Sequence, residues 1–90
     1  MNKADLIDQV AERTGQTKVA VAATVEAAMD AIVDAVANSE AVTLSGFGTF
    51  EPRERKERTG RNPRTGEAVP IPARTVPSFR PGNAFKSAVE

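Results

Sequence analysis

Six cationic side chains lie between residues 53 and 64, and their types and spacing suit the binding of phosphate groups. They are Arg53, Arg55, Lys56, Arg58, Arg61 and Arg64. Because alternate residues of an extended chain point to opposite faces, Arg53 and Arg55 should share one face, and Lys56 and Arg58 the other. Cations on both faces suit a partner that surrounds the strand, as the phosphate walls of a nucleic-acid groove do. A solvated charged loop with internal ion pairs from Glu54 and Glu57 is the alternative interpretation.

The segment TGRNPRTG, residues 59–66, contains no large apolar side chain and cannot contribute to a core. Pro63 stands between Asn62 and Arg64 in this segment. A rigid apolar ring flanked by polar and cationic groups can insert between stacked bases while its neighbours hold the nucleic-acid backbone. A proline that only fixes φ in a turn would look the same in sequence, so both roles stay open from the residues alone.

Most catalytic and metal-binding chemistry is excluded by composition. The chain has no Cys and no His, so thiolate sites are excluded, as are the commonest metal ligand and general base. The carboxylates of the first half fall at helical surface spacing and indicate a solvated acidic face; they are Asp5, Asp8, Glu12, Asp30 and Asp34. We therefore expect a protein that is not an enzyme, with no catalytic residue, no metal site and no cofactor.

The formal net charge is zero, but the charge is segregated along the chain. Residues 1–50 carry three basic and seven acidic side chains, whereas residues 51–86 carry nine basic and four acidic ones. The second half therefore presents the cationic surface that a polyanion requires. The start, MNKADLIDQV, lacks the pattern of a secretory signal, and no apolar stretch reaches the length of a membrane span. We expect a cytoplasmic protein without a membrane partner.

Two N-terminal helices are predicted. Asn2 should cap the first helix over residues 3–14, with Asp5 completing a capping box and Gly15 ending it. Thr17 should cap the second helix, which ends near Ala37. The second helix carries Ala or Val on nearly all sides, so one short partner helix cannot cover its apolar surface. This excess, in a chain of only 90 residues, predicts a homodimer.

From Ala41 the apolar period changes from helical spacing to two, which predicts strands. A turn at Ser45 and Gly46 leads into an outgoing strand, and residues 67–79 return as a second extended segment. Residues 83–90 form a short final helix, with Ala84, Phe85 and Ala88 facing inward. The two long segments should form a ribbon of about 12 residues a side, reaching roughly 40 Å. The fold class is therefore α+β, with a sheet that extends into a protruding two-stranded arm. Three aromatic residues near the root of this arm are expected in the dimer core, namely Phe47, Phe50 and Phe79.

Three classes of function compete. The first is an architectural DNA-binding protein that uses the basic arm. The second is a helix-turn-helix regulator built from the two leading helices, although the residues after Lys18 lack the polar and basic side chains of a recognition helix. The third is a protein-binding helical module that uses the second helix.

The run GFGTFEPRERKERTGRNPRT, residues 46–65, resembles the signature of bacterial HU/IHF-type histone-like DNA-binding proteins. The likeness extends from the NKADLI start through VPSFRPG to the final FKSAVE, and it is closest to HU. It implies an intertwined dimer of single domains spanning residues 1–90, with a helical dimerisation base (about 1–50 and 76–90) and a β-ribbon arm (about 51–75). It also implies an architectural, nucleoid-associated role in which two arms bend, wrap and compact DNA through the minor groove with little sequence specificity.

The resemblance also implies roles for individual residues. Pro63 would be the intercalating wedge, with Arg61, Asn62 and Arg64 beside it. The arm would contact DNA through Arg53, Arg55 and Arg58, and the base through Lys3, Arg80 and Lys86. The basic composition of the arm itself adds Lys56 and Arg74 as expected DNA contacts. The expected partner is double-stranded DNA, favoured in bent, nicked or branched forms. RNA binding and an IHF-like sequence preference remain open alternatives.

Overall fold

The computed structural model describes all 90 residues, which form two compact units, residues 1–34 and 35–90. Along the chain the elements are α1 (Lys3–Thr14), α2 (Lys18–Ala37), β1 (Val42–Leu44), β2 (Gly48–Arg55), β3 (Arg58–Arg61), β4 (Ala68–Ile71), β5 (Arg74–Pro81) and α3 (Asn83–Val89). Two helices, antiparallel strands and a final short helix confirm the predicted α+β class.

The helical unit begins and ends its helices where the capping residues predict. The Asn2 side chain accepts a hydrogen bond from the Asp5 amide, and the Asp5 carboxylate accepts one from the Asn2 amide, so the capping box is complete. Gly15 ends α1 in the left-handed conformation. Thr17 Oγ1 accepts from the Ala20 amide at 3.2 Å at the start of α2. These local bonds place both helix starts at the residues that the sequence indicates.

A single chain buries very little apolar surface. The only buried hydrophobic side chains are those of Ala11 and Val21. Val19 and Val33 of α2 keep 82% and 64% of their surface exposed. An apolar helix with this much exposed surface requires a further partner, because burial of such side chains is the main source of folding free energy.

The second unit is organised around a three-stranded antiparallel sheet in the order β1-β2-β5. The residues 45–47 close the β1–β2 hairpin, and Val42 pairs with Phe50. Phe50 in turn pairs with Phe79 of β5. Gly48 is required at its position, because a Cβ there would lie 2.5 Å from the Phe79 ring and 2.8 Å from the Arg80 carbonyl oxygen.

Beyond this sheet the two long segments continue as a separate two-stranded ribbon, β3-β4. The β2–β5 pairing ends at Arg55↔Arg74, and pairing resumes at Arg58↔Ile71. The predicted ribbon is therefore interrupted, because residues 56–57 and 72–73 belong to neither ladder, and the sequence analysis did not predict this break. Pro72 accounts for part of this break, because proline has no amide hydrogen to donate to a ladder.

Neither long helix in the structure combines the length and apolarity that a bilayer-crossing helix needs.

Candidate nucleic-acid interface

The alternation of side chains along β2 and β5 places all four cations of these strands on one face of the sheet. Residues directly opposite each other in a ladder share a face, and so do residues two apart on one strand. The pairs Thr49↔Arg80, Glu51↔Ser78, Arg53↔Val76 and Arg55↔Arg74 therefore lie on the same face. We call this the arginine face. Its four arginines, Arg53, Arg55, Arg74 and Arg80, are all exposed.

Two guanidinium groups of the arginine face come from directly opposed positions. Arg55 and Arg74 form the last pair of the β2–β5 ladder. Like charges at opposed positions destabilise a sheet, and the structure places no carboxylate within ion-pairing distance of either arginine. An external anion would remove this repulsion, so the pair is suited to a phosphate partner.

Ion pairing within the chain leaves almost the whole basic half unneutralised. The three ion pairs are Lys3–Glu26, Lys18–Asp8 and Arg80–Glu51. Of the nine basic side chains from residue 53 to residue 86, only Arg80 has a carboxylate partner. The alternative in which Glu54 and Glu57 pair with the arm cations is therefore wrong.

The ribbon carries the next group of predicted contacts. Arg58 and Arg61 begin and end β3, and both are exposed. Lys56 lies in the interruption between β2 and β3, so strand alternation does not determine its face, contrary to the prediction from the sequence. Ile71 packs over Gly60, where a Cβ would lie 2.8 Å from Ile71 Cδ1. This small apolar contact supports the ribbon between the two arginines.

The tip of the ribbon is an ordered turn that presents Pro63 to solvent. The Asn62 amide donates to the Glu67 carbonyl and the Gly66 amide to the Asn62 carbonyl, both at 2.8 Å. The Asn62 side chain also accepts from the Arg64 amide at 2.9 Å. Gly66 has φ +73°, a left-handed conformation that side chains other than glycine rarely adopt. These bonds hold Pro63 between Asn62 and Arg64 at the end of the ribbon, where its side chain is exposed.

The opposite face of the same sheet is aromatic. The ring centroids of Phe50 and Phe79 are 4.8 Å apart, and Phe47 lies 5.5 Å from Phe79. Phe85 of α3, predicted to face inward but not placed with the three dimer-core aromatic residues, joins this cluster at 5.3 Å from Phe47. In a single chain Phe47, Phe79 and Phe85 are 46%, 38% and 37% exposed. The aromatic cluster is therefore incompletely covered by its own chain.

Two predicted phosphate contacts lie outside the sheet and ribbon. Lys86 is in the last turn of α3 and is exposed. Lys3 is the first residue of α1, in the helical unit, where it forms its ion pair with Glu26. The structure thus brings Arg53, Arg55, Arg74 and Arg80 onto one surface, whereas Lys3 belongs to the other compact unit. The contacts of all these residues with DNA remain predictions.

Nowhere in the structure do three or more His, Cys, Asp or Glu side chains form a group that could hold a metal ion. The interface consists of cations, hydroxyl groups and an exposed proline ring, which can bind and position an anionic polymer.

The chain is similar to HU proteins over its whole length. It is 50% identical over 90 residues to the DNA-binding protein HU of Geobacillus stearothermophilus, with all of both chains covered. It is 49% identical over 89 residues to the HU protein of Nostoc, covering 99% of this chain and 95% of that one.

Solved structures show the same likeness in three dimensions. A structure described as an Anabaena HU–DNA cocrystal superposes with a TM-score of 0.94 at 49% identity, covering 99% of this chain and 97% of that one. HU from Thermotoga maritima superposes with a TM-score of 0.72 at 32% identity, with both chains covered completely. The sequence profile of the family described as Bacterial DNA-binding protein matches residues 1–90. With this match along its full length, the chain belongs to the bacterial DNA-binding protein family.

Proposed function

We propose that this protein is an architectural DNA-binding protein that bends, wraps and compacts double-stranded DNA with little sequence specificity. The observation that carries the proposal is the arginine face, where Arg55 and Arg74 oppose each other without a carboxylate partner. Family membership and the Anabaena relative, whose structure is described as a cocrystal with DNA, support the same conclusion. Contacts to phosphate position a protein on DNA but carry no sequence information, which fits a general rather than a site-specific binder.

The working unit is a homodimer of single 90-residue domains. The residues 1–50 and 76–90 form the dimerisation base, and the residues 51–75 form the arm. The half-exposed Phe47, Phe79 and Phe85, and the exposed apolar side chains of α2, supply the surface that a second copy would cover. An intertwined arrangement would bury this surface and leave the arginine face open.

The protein holds DNA through two kinds of contact. Guanidinium and ammonium groups bind the phosphates. These groups belong to the arginine face, to the arm residues Lys56, Arg58, Arg61 and Arg64, and to the base residues Lys3 and Lys86. Pro63, presented by the tip turn, inserts between base pairs from the minor groove and kinks the duplex, with Asn62 beside it. Unstacking a base step costs a few kcal/mol, which the additional phosphate contacts of bent DNA offset.

The family of HU proteins is nucleoid-associated, so the protein is expected on the nucleoid. Its location in the cytoplasm follows from that association and is part of the proposal.

A binding titration on linear, nicked and four-way-junction DNA at several salt concentrations tests the function. The logarithm of the binding constant should fall linearly with the logarithm of salt concentration, by about 0.9 for each neutralised phosphate. Nicked and branched DNA should bind more tightly than linear duplex, because part of the bending cost is already met. A parent protein whose binding does not depend on salt would contradict the proposal.

A shortened arm separates this function from the two other classes. Replacing residues 54–75 with an Asn-Gly turn closes the hairpin at the Arg53↔Val76 pair and removes the ribbon. An architectural binder should then lose DNA binding and remain a dimer by sedimentation. A helix-turn-helix regulator would keep DNA binding, and a protein-binding helical module would show none in the parent protein.

A further inference from the structure

We propose that Glu51 limits the affinity of the arginine face for DNA by neutralising Arg80 in the free protein. The proposal rests on the proposed function, because it concerns how tightly the same surface holds phosphate. It assigns an affinity-setting role to a carboxylate that lies on a surface otherwise built for anions.

The ladder register places Glu51 and Arg80 on the same face. Glu51 is opposite Ser78 and Arg80 is opposite Thr49, so the two charged residues are diagonal neighbours. The Arg80 Nη2 atom lies 3.6 Å from Glu51 Oε2. The Thr49 and Thr43 hydroxyl groups, 3.4 Å apart, occupy the adjoining part of the same surface. The ion pair therefore lies directly on the surface that is proposed to meet DNA.

Glu51 is the only acidic side chain among the residues of β1, β2 and β5 that share this face. The other charged members are Arg53, Arg55, Arg74 and Arg80. The acidic residue next along the strand, Glu54, pairs with Thr75 on the opposite face. A carboxylate among phosphate-binding arginines repels a phosphate at close range, so its presence must lower the affinity for DNA.

The exposure of the two side chains determines what happens when DNA arrives. Arg80 has 68% of its side-chain surface exposed, whereas Glu51 has 32%. Ion pairs between such exposed groups are weak in water, so a phosphate can replace Glu51 as the partner of Arg80. Glu51 is the more enclosed of the two and remains near the bound phosphate. There it keeps one salt cation bound at the interface that DNA binding would otherwise release into solution. The salt dependence of binding should therefore be shallower than the number of cations on the surface implies.

The first test replaces the carboxylate with its neutral isostere. Glu51→Gln should bind linear duplex about 3-fold to 10-fold more tightly at 0.1 M salt. The slope of log binding constant against log salt should become steeper by about 0.9 for each subunit that engages the DNA. Glu54→Gln is the matched control, because it makes the same change in net charge three residues away on the opposite face. The control should show a smaller gain and little change in slope.

A double-mutant cycle with Arg80→Gln identifies the partner. In the parent protein, Arg80→Gln removes a cation that is already partly neutralised, so the loss of affinity should be modest. In the Glu51→Gln background the same change removes a free cation and should cost several-fold more affinity. Additive effects of the two substitutions would show that Glu51 does not act through Arg80, and would overturn the proposal.

Thermal unfolding of each variant checks that the fold is retained, and Glu51→Thr, with a strand-favouring side chain, repeats the test if the glutamine variant does not fold. Equal gains from Glu51→Gln and Glu54→Gln would also overturn the proposal, since the effect would then be one of net charge alone. Those results leave the proposed function standing as long as the parent protein binds DNA with a steep salt dependence. Absence of binding by the parent protein would instead remove the proposed function itself.

Discussion

The two faces of the β2–β5 ladder use the same backbone for opposite purposes. On one face Phe50 and Phe79 are directly opposed, and their rings are in contact. On the other face Arg55 and Arg74 are directly opposed, and nothing within the chain neutralises them. Because side chains alternate with a period of two, one register fixes both faces. A slip of one residue would exchange them, so the proposed dimer surface and the proposed DNA-binding surface depend on the same register.

Substitutions on the aromatic face should have the larger effect on stability, and Phe79→Ala is the direct test. Phe79 contacts the rings of Phe47, Phe50 and Phe85 and covers Gly48. Phe79 is 38% exposed in a single chain, and a second copy is expected to cover the rest of its ring. Truncating a phenylalanine that is buried in this way costs about 3 to 5 kcal/mol. We expect a large loss in the free energy of unfolding by chemical denaturation, with dissociation seen by sedimentation at micromolar concentration.

Val69→Ala on the ribbon is the control for this substitution. Val69 is exposed and pairs with Gly60, away from the aromatic cluster. Its truncation should change the free energy of unfolding by less than about 1 kcal/mol and leave the dimer intact. A stable, monomeric parent protein, or equal losses from both substitutions, would show that the aromatic face is not the dimer core.

At the tip of the ribbon, Pro63→Ala should affect DNA bending more than folding. The substitution removes the rigid ring but leaves Arg61 and Arg64 in place, and the tip turn keeps its hydrogen bonds from Asn62. Linear duplex must be unstacked at a cost of a few kcal/mol, and the Pro63 ring is expected to hold the opened base step. Linear duplex should therefore lose more affinity than nicked duplex. Energy transfer between dyes on the two ends of the DNA should show a smaller bend.

The nicked duplex is the internal control for this prediction, because it needs less unstacking. If affinity for both substrates falls equally, or if the bend is unchanged, then Pro63 acts only as a turn residue. The arginines would in that case account for the whole function of the exposed tip.

The helix bounds could be predicted from the sequence, because their determinants are local. Asn2 and Thr17 cap helices through bonds to amides three residues away, so reading neighbouring residues is sufficient. The interruption at residues 56–57 and 72–73 could not be predicted in this way, because it depends on how two distant segments pair. Pro72 was a signal for it, but the alternation of charges suggested one continuous strand.

The candidate site also combines features that the sequence predicts with features that depend on the pairing of distant segments. The arginines and Pro63 are visible in the sequence as a group of unusual composition. The opposition of Arg55 and Arg74 becomes visible only once the register is known. The role of Phe85 depends on α3 folding back onto the sheet, where the Phe85 amide donates to the Gly46 carbonyl at 3.2 Å. The spacing of apolar residues in α3 indicated an inward side, but not which aromatic residues that side would meet.

Arg58→Ala tests the ribbon as a phosphate-binding device. Arg58 is exposed at the start of β3 and has no carboxylate partner, so its loss should not disturb the fold. The slope of log binding constant against log salt should become shallower by about 0.9 per engaged arm. Preference among DNA sequences should stay the same, since a phosphate contact carries no sequence information. A changed sequence preference at constant slope would contradict this role.

The smallest expected effect is the most informative about the arginine face, because it has opposite signs for folding and for binding. Arg55→Gln removes one of two opposed like charges, which should raise the free energy of unfolding by about 0.2 to 1 kcal/mol while weakening DNA binding. Arg53→Gln is the matched control, because Arg53 lies on the same face but opposite the uncharged Val76. It should weaken DNA binding to a similar extent without a comparable gain in stability.

Adding salt should reduce the stability difference between Arg55→Gln and the parent protein, since screening weakens the repulsion between exposed charges. If Arg55→Gln is no more stable than Arg53→Gln at low salt, the opposed arginines do not repel each other in the free protein, and their placement is not evidence for a phosphate partner.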